Sequence, residues 1–444
     1  MRSEDAGSSH LFLGVSMLRI EPSSLRGATT VPGDKSISHR AVMFSALAPG
    51  VHRVRGWLQA GDTLATLSVM QALGLRVSQE DGELRIESQG LRSPTWPRLD
   101  CRNSGTTMRL LSGLLAGAGI EAVLDGSDQL RRRPMRRVTE PLRRMGAQIE
   151  DTEGRAPLHI RPAALHGVEH HLPIASAQVK SALLLAGCFA EGETVVHEPA
   201  RSRDHTERML LAMGAPLRLS EDRRTCAIQG PATRLQSLDV MVPGDFSSAA
   251  FLIVAATLAP GSEVSLQQVN LNPTRIGLLH ILQRMGASIE IADLAETSGG
   301  EPLGTLIVRP AALRATQVGG EEIPLAIDEL PILALAATQA EGETVIRDAA
   351  ELRVKETDRI AQVCDILRAF GAEVEELPDG MIIRGPRPLR GAHLSSRGDH
   401  RLGMLIAVAG LIARGETILE DEACIADSFP GFATILARLG AKIG

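Results

Sequence analysis

Six polar clusters, each set before an apolar run of helical character, recur about every seventy residues through this 444-residue chain. They read Gly33-Asp34-Lys35-Ser36, Asn103-Ser104-Gly105-Thr106, Ser176-Ala177-Gln178-Val179-Lys180, Gly244-Asp245-Phe246-Ser247, Asp328-Glu329-Leu330-Pro331 and Gly398-Asp399-His400-Arg401. Each stands where a helix would begin, and a helix N-terminus offers unpaired N–H groups with roughly half a positive charge. Several such ends turned toward one cleft make an anion trap. The pattern points to a phosphate or carboxylate substrate.

The far end of each unit carries a second mark. A Leu, Met or Phe followed by Gly closes the helical run and opens a β-like stretch at Leu73-Gly74, Met145-Gly146, Met213-Gly214, Met285-Gly286, Phe370-Gly371 and Leu439-Gly440. Turn-then-strand segments such as Glu191-Gly192-Glu193-Thr194-Val195-Val196 lie between the marks, because Gly stops a helix and β-branched residues favour a strand. Each unit therefore holds two helices and several strands, a subdomain larger than a solenoid repeat of roughly 20 to 50 residues. Val31-Pro32-Gly33-Asp34 returns as Val242-Pro243-Gly244-Asp245, so three units form each half, and Pro-Gly pairs are turn signals. The sequence predicts an α/β protein of two lobes with crossovers near residues 32 and 243. Residues 18–32 with 243–444 form one lobe, 33–242 the other, and 1–17 a loose extension.

Composition supports two cores. The chain exceeds the roughly 250 to 300 residues at which a single core stops growing, and 44% of it is hydrophobic. Aromatic residues make up only 2% and Tyr is absent, which removes the stacking platforms that bind single-stranded nucleic acid. A net charge of −6 also argues against a nucleic-acid partner, so positive potential must be local. Cys101, Cys188, Cys226, Cys364 and Cys424 form no CxxC pair and read as reduced packing residues of a cytoplasmic protein. Leu11-Phe12-Leu13-Gly14-Val15 is too short to span a membrane. Gly117-Ala118-Gly119-Ile120-Glu121-Ala122 matches G-x-G-x-x-A by letter but follows a helical run, the wrong context for a dinucleotide. His170-His171 lies in a Pro-flanked linker and reads as solvated, not metal-ligating.

Cations at the helix starts carry the chemistry. Lys35 and Ser36 occupy a first turn and Arg40 follows Ser36 by four residues, so ammonium, hydroxyl and guanidinium share one helix face. The alternative is a solvated capping turn. The run from Arg131 to Arg137 holds five arginines; most read as a solvated basic face, and one reaching inward would serve a site. Lys355 and Arg359 stand four apart, either presented together by one helix or exposed in a charge ladder. Asp328 is either an N-cap or a buried base.

Taken together, PGDKSISHR (32–40), NSGTTMR (103–109), RRPM (132–135), SAQVKSALLLAG (176–187), SRDHTERML (202–210), RVKETDR (353–359) and GDHR (398–401) closely resemble the EPSP synthase family, the 3-phosphoshikimate 1-carboxyvinyltransferases. The resemblance spans nearly the whole chain after about residue 18, and SAQVK looks like the family's second class. It implies the enolpyruvyl transferase fold, six βαβαββ subdomains arranged three per lobe as an inside-out α/β barrel. It implies transfer of the enolpyruvyl group of phosphoenolpyruvate to the 5-hydroxyl of shikimate 3-phosphate, in the route to chorismate and the aromatic amino acids. No metal or organic cofactor is implied, and the family expectation is a monomer inhibited by glyphosate.

Carried over by motif, Lys35, Ser36, Arg40, Ser176, Ala177, Gln178, Arg203, Asp328 and Lys355 look like the shikimate 3-phosphate site. Lys35, Asn103, Gly105, Arg133, Gln178, Arg359 and Arg401 look like the phosphoenolpyruvate site. The alcohol must lose a proton while the methylene carbon gains one, so a base and an acid are both needed. Asp328 is the expected base; Glu356 or Lys35 is the expected acid. Neighbouring cations lower a carboxylate's pKa, which suits the base and opposes Glu356 as the acid.

Two positions qualify the resemblance. Asp427 stands where the family's first class carries Lys, so a cationic ligand there is in doubt, and Gly105 is Ala in some glyphosate-tolerant relatives, which makes this chain an expected glyphosate-sensitive one. Two other readings compete. A UDP-N-acetylglucosamine enolpyruvyl transferase shares the fold but typically carries a loop cysteine that residues 125–134 lack. A non-catalytic phosphometabolite-binding protein would not need Asp328, Glu356 and Lys35 together.

Overall fold

The computed structural model describes residues 17–80 and 82–444; all but the last residue of the expected N-terminal extension lies outside them. All six polar clusters stand at helix starts. Asp34, Ser104, Ser176, Asp245 and Asp399 cap the helices Lys35–Phe44, Gly105–Ala118, Ala177–Gly187, Phe246–Leu258 and His400–Ile412 through side-chain oxygens that accept backbone N–H groups. The remaining helix, Leu330–Ala337, has Pro331 in its first turn in place of a side-chain cap. These helices are apolar around most of their circumference. Phe246–Leu258 buries every residue except Leu258, so such a helix is stable only inside a core.

Among the described residues, six four-stranded sheets surround these helices. All six share one pattern, a parallel pair at one edge followed by two antiparallel pairs, as in Glu169–His171, Gly192–His197, Thr225–Gly230 and Leu217–Leu219. Each sheet with its two main helices is one βαβαββ unit. Two units exchange their first strands: Asp239–Met241 pairs in parallel with Gly50–Arg55, and Arg26–Thr30 with Glu263–Asn270. Leu18–Glu21 enters the sheet of Thr417–Leu419 and Lys442–Ile443, so the N-terminal strand completes the C-terminal unit.

Two separate buried clusters result. One joins Leu18, Ile20, Leu25 and Val31 to apolar residues from Phe246 to Ala441; the other runs from Ile37 to Val242. The chain passes between them twice, and the two passages bond to each other. Asp34 N donates to Pro243 O and Asp245 N to Pro32 O, both at 2.8 Å. A Cβ on Gly33 would stand 1.9 Å from Gly56 O, so only glycine permits this close approach.

Two sequence readings resolve here. Gly119 is the left-handed residue ending the helix Gly105–Ala118, so the G-x-G-x-x-A letters mark a helix end. Glu169–His171 is an edge strand, not a linker. Alternate strand residues face opposite sides, so His170 is buried while His171 is exposed, and burial pushes the His170 pKa down to about 4. Among the described residues no helix is long and apolar enough to cross a membrane.

Candidate active site

The helix starts meet at a cavity of about 260 Å³ between the two cores. Lys35, Ser36, Arg40, Gly105, Arg133, Ser176, Ala177, Gln178 and Arg203 line it from one side, and Asp328, Lys355, Glu356, Arg359 and Arg401 from the other. Asn103 stands off the wall. Its amide bonds to Gln129 and accepts from Ser127 Oγ at 2.9 Å, and Gln129 Nε2 donates to Glu356 O at 2.9 Å. The wall holds ten Lys or Arg side chains against six Asp or Glu. That local excess, in a chain of net charge −6, suits a ligand carrying several negative charges.

Lys35 and Arg40 share the first helix as expected. Lys35 Nζ lies 3.1 Å from Asp62 Oδ2. The buried Arg40 guanidinium donates to Ser36 O, Thr206 Oγ1 and Ser181 Oγ at 2.8 to 2.9 Å. These acceptors are all uncharged, so the fork is held in place while its charge stays available to an anion.

Of the five arginines between 131 and 137, two reach the wall. Arg133 Nη2 lies 3.0 Å from Glu356 Oε1, but its Nε and Nη2 are buried without a well-directed hydrogen bond. Arg137 Nη1 donates to Glu351 Oε1 at 2.7 Å. Arg131 instead pairs with Asp125 at 2.8 Å.

Lys355 and Arg359 do not share a helix. A 3-10 turn, Ala350–Val354, ends before Lys355, and Asp358 caps a new helix, Arg359–Ala369. The two cations converge through this break. Arg359 is gripped by both oxygens of Asp399, at 2.8 and 3.1 Å. The carboxylate that caps the sixth helix thus also fixes a cation of the site.

Asp328 is not a cap, since Glu329 holds that position. Its carboxylate accepts from Arg203 and lies 3.6 Å from both Arg359 Nη1 and Arg401 Nη2. Burial raises a carboxyl's pKa, but Arg401, Arg203, Lys355 and Arg359 outweigh it and hold Asp328 well below the usual range. Glu356 lies 2.6 Å from Arg359 Nη2. Burial is again outweighed, here by Arg359, Arg133, His400 and Lys35, and Glu356 also lies well below its usual range.

Several wall residues escape sequence reasoning. Arg109 had a usable signal, four positions after Gly105 on the same helix face, and it donates to Gln178 Oε1. Arg137, Glu351, Asp62, His400 and Arg275 also line the wall; Glu351 and Arg275 lie in segments without a motif. His400 is pushed well below its ordinary pKa by burial, Lys35 and Arg401. Asp427 stands against Gly61, its pKa raised by burial and Asp62, so that place holds a carboxyl group and no cation.

Six βαβαββ units in two lobes, meeting at a cationic cleft with two arginine-held carboxylates, define an enolpyruvyl transferase. The family model for EPSP synthase (3-phosphoshikimate 1-carboxyvinyltransferase) matches residues 20–436. The 3-phosphoshikimate 1-carboxyvinyltransferase of Geobacter sulfurreducens is 50% identical over 423 residues, 94% of this chain and 98% of that protein. That of Pelotomaculum thermopropionicum is 52% identical over 421 residues, 94% of this chain and 96% of its own length. The structure of EPSP synthase from Acinetobacter baumannii is similar with a TM-score of 0.85 at 41% identity, covering 96% of this chain and 99% of that one. The chain belongs to the EPSP synthase family.

Proposed function

We propose that the cleft joins phosphoenolpyruvate to the 5-hydroxyl of shikimate 3-phosphate by addition and elimination, with Asp328 as base and Glu356 as acid. One shared guanidinium carries this reading. Arg359 lies 3.6 Å from Asp328 Oδ1 and 2.6 Å from Glu356 Oε2, so an acid and a base flank a single anion-binding group. Ser36, Arg40, Ser176, Ala177, Gln178, Arg203 and Lys355 are assigned to shikimate 3-phosphate. Lys35, Gly105, Arg133, Gln178, Arg359 and Arg401 are assigned to phosphoenolpyruvate, with Asn103 positioning Glu356 through Gln129.

Without substrate, both carboxylates serve as counter-ions to the arginines. Substrate phosphate and carboxylate groups compete for those arginines, and each cation drawn away raises the pKa of the carboxylate it leaves. Asp328 gains basicity as the acceptor hydroxyl arrives, and Glu356 gains a proton before the methylene needs it. Substrate binding therefore resolves the conflict between a depressed Glu356 and its role as an acid. Asp328 takes the hydroxyl proton as that oxygen bonds to C2, and Glu356 protonates C3, with Lys35 the alternative donor. The tetrahedral ketal then returns a C3 proton to the Glu356 carboxylate as its C2–O bond to phosphate breaks. Arg133, Arg359 and Arg401 neutralise the departing phosphate.

The same reading assigns residues 18–32 with 243–444 to one lobe and 33–242 to the other, supported by the two buried clusters and paired crossovers. It extends to glyphosate as an inhibitor, a monomeric state and a cytoplasmic location. The test is phosphate release with both substrates, beside Asp328→Ala and with UDP-N-acetylglucosamine as a substitute acceptor. Release that requires shikimate 3-phosphate and collapses in the variant is expected. Release with the nucleotide sugar, or binding of shikimate 3-phosphate without release, would overturn the assignment.

A further inference from the structure

We infer that Glu169, His171 and His197 form a binding site for a late first-row divalent cation such as Zn²⁺, on the sheet that leads into the proposed acceptor loops. Glu169–His171 pairs in parallel with Gly192–His197, and His171 stands opposite His197. Strand residues two apart share a face, so Glu169 joins the two histidines. Their ligand atoms all lie within 4.8 Å of one another. Glu169 Oε1 is 2.7 Å from His197 Nε2 and 3.5 Å from His171 Nε2, and the two rings stack 8° from parallel with centroids 4.4 Å apart. Ligands about 2.0 to 2.2 Å from zinc in a tetrahedral site stand roughly 3.3 to 3.6 Å apart. An imidazole lone pair lies in its ring plane, so the two rings must turn out of their stack to aim both nitrogens at one ion beside Glu169.

The outer contact is also in place. Thr225 lies opposite His197 on the next strand, and its Oγ1 is 2.8 Å from His197 Nδ1. His197 Nε2–H donates to the Glu169 carboxylate at 2.7 Å; a metal taking the place of that proton leaves the remaining N–H on Nδ1, donating to the Thr225 hydroxyl, which is how outer-shell partners orient ligating imidazoles. Two imidazoles and a carboxylate form a set that zinc favours. His171 and Glu169 are 75% and 61% exposed, so water can complete the coordination.

The placement gives such an ion a route to the cleft. Residues 172–176 follow His171 and bring Ile174, Ala175 and Ser176 to the wall; Glu198 follows His197 and leads to Ser202 and Arg203 on the wall. Glu198 Oε1 accepts from Ser176 N at 3.3 Å and from Ser202 Oγ at 2.5 Å. An ion clamping the two strand ends would tie together both loops.

Isothermal titration of the chelator-treated full chain with ZnCl₂ tests the site. One equivalent should bind and raise the thermal midpoint at saturation. His171→Ala and His197→Ala should each weaken the affinity at least about 10-fold, and Thr225→Val about 10-fold through the outer contact. Cu²⁺ in the same protein should show nitrogen hyperfine lines from imidazole in its electron paramagnetic resonance spectrum. His171 is exposed, His197 and Thr225 are half-buried, and none belongs to either buried cluster, so the variants should fold, which circular dichroism would verify. No binding up to millimolar zinc, or equal affinity in both histidine variants, would overturn the site.

Discussion

Arg203 donates across the cleft to Asp328, and the two side chains are only 15% and 16% exposed. Arg133 with Glu356 and Arg137 with Glu351 span the same gap at 3.0 and 2.7 Å. The protein's own carboxylates thus occupy the cations that the proposed substrates would claim.

Replacing Arg203 should therefore act twice. Arg203→Ala removes a charge-assisted hydrogen bond worth about 1.5 to 3 kcal/mol and should raise the KM for shikimate 3-phosphate roughly 10- to 150-fold. It also removes one cation that depresses Asp328, so the acidic limb of the kcat/KM profile should move to higher pH. Steady-state kinetics across pH separates the two effects. An unmoved acidic limb would show that Arg203 binds substrate without tuning Asp328.

Asp328→Asn keeps the shape and removes the proposed base. Its kcat should fall about 10²- to 10⁴-fold at saturating concentrations of both substrates, with the KM for phosphoenolpyruvate nearly unchanged. A loss confined to KM would reassign Asp328 to binding.

A methyl group at Gly105 would meet two arginines of the cleft wall. Its Cβ would stand 3.0 Å from Arg133 Nη1 and 3.2 Å from Arg109 Nη1, the far ends of flexible side chains. Gly105→Ala should fold normally and displace these guanidinium groups by a few tenths of an ångström. The KM for phosphoenolpyruvate should rise several-fold and the glyphosate inhibition constant by more, while the acceptor KM holds. An unchanged inhibition constant would count against Gly105 as a source of sensitivity.

Acid should destabilise the lobe junction. Burial raises the carboxyl pKa values of Asp34 and Asp204, yet Arg275 and Arg208 respectively lead the interactions that outweigh it, and both groups fall to about 2. An unfolded Asp titrates near ~3.9, so the unfolded chain takes up these protons first. Their stabilisation, on the order of 2 to 3 kcal/mol each, is fully present above about pH 5. It is lost as pH falls through about 4 to about 2. Urea midpoints should decline across that window, and Asp204→Asn should flatten the decline. An equal slope in the variant would place the acid sensitivity elsewhere.

What was legible in the chain was what local chemistry determines. Asp34, Ser104, Ser176, Asp245 and Asp399 announce helix starts because a short side-chain acceptor before an apolar run satisfies free N–H groups. The Pro-Gly pairs mark two segments that bond to each other. The exchange of strands Arg26–Thr30 and Asp239–Met241 was hidden, since pairing between residues about 200 positions apart leaves no local pattern. Lys355 with Arg359 misled because four-residue spacing implies a shared face only within one helix, and Asp358 starts a new one. Glu351 and Arg275 gained their places through tertiary packing alone.

Arg275 shows most clearly what the sequence concealed. Its guanidinium is buried among three carboxylates: Nη2 lies 2.8 Å from Asp245 Oδ1, Nη1 3.2 Å from Glu329 Oε1 and Nε 3.5 Å from Asp34 Oδ2. Asp34 and Asp245 cap the helices that follow the two crossovers, so one cation sets the relative position of two helix starts from different cores. Arg275→Met removes the charge and strands the carboxylates, a change that costs about 3 to 5 kcal/mol at a buried site. The urea midpoint should fall accordingly. Arg275→Lys keeps the charge but not the fork, and should recover part of the stability while leaving kcat below wild type. A methionine variant within about 1 kcal/mol of wild type would mean that the three carboxylates relax onto other partners or take up protons at little cost, and that Arg275 does not order the junction.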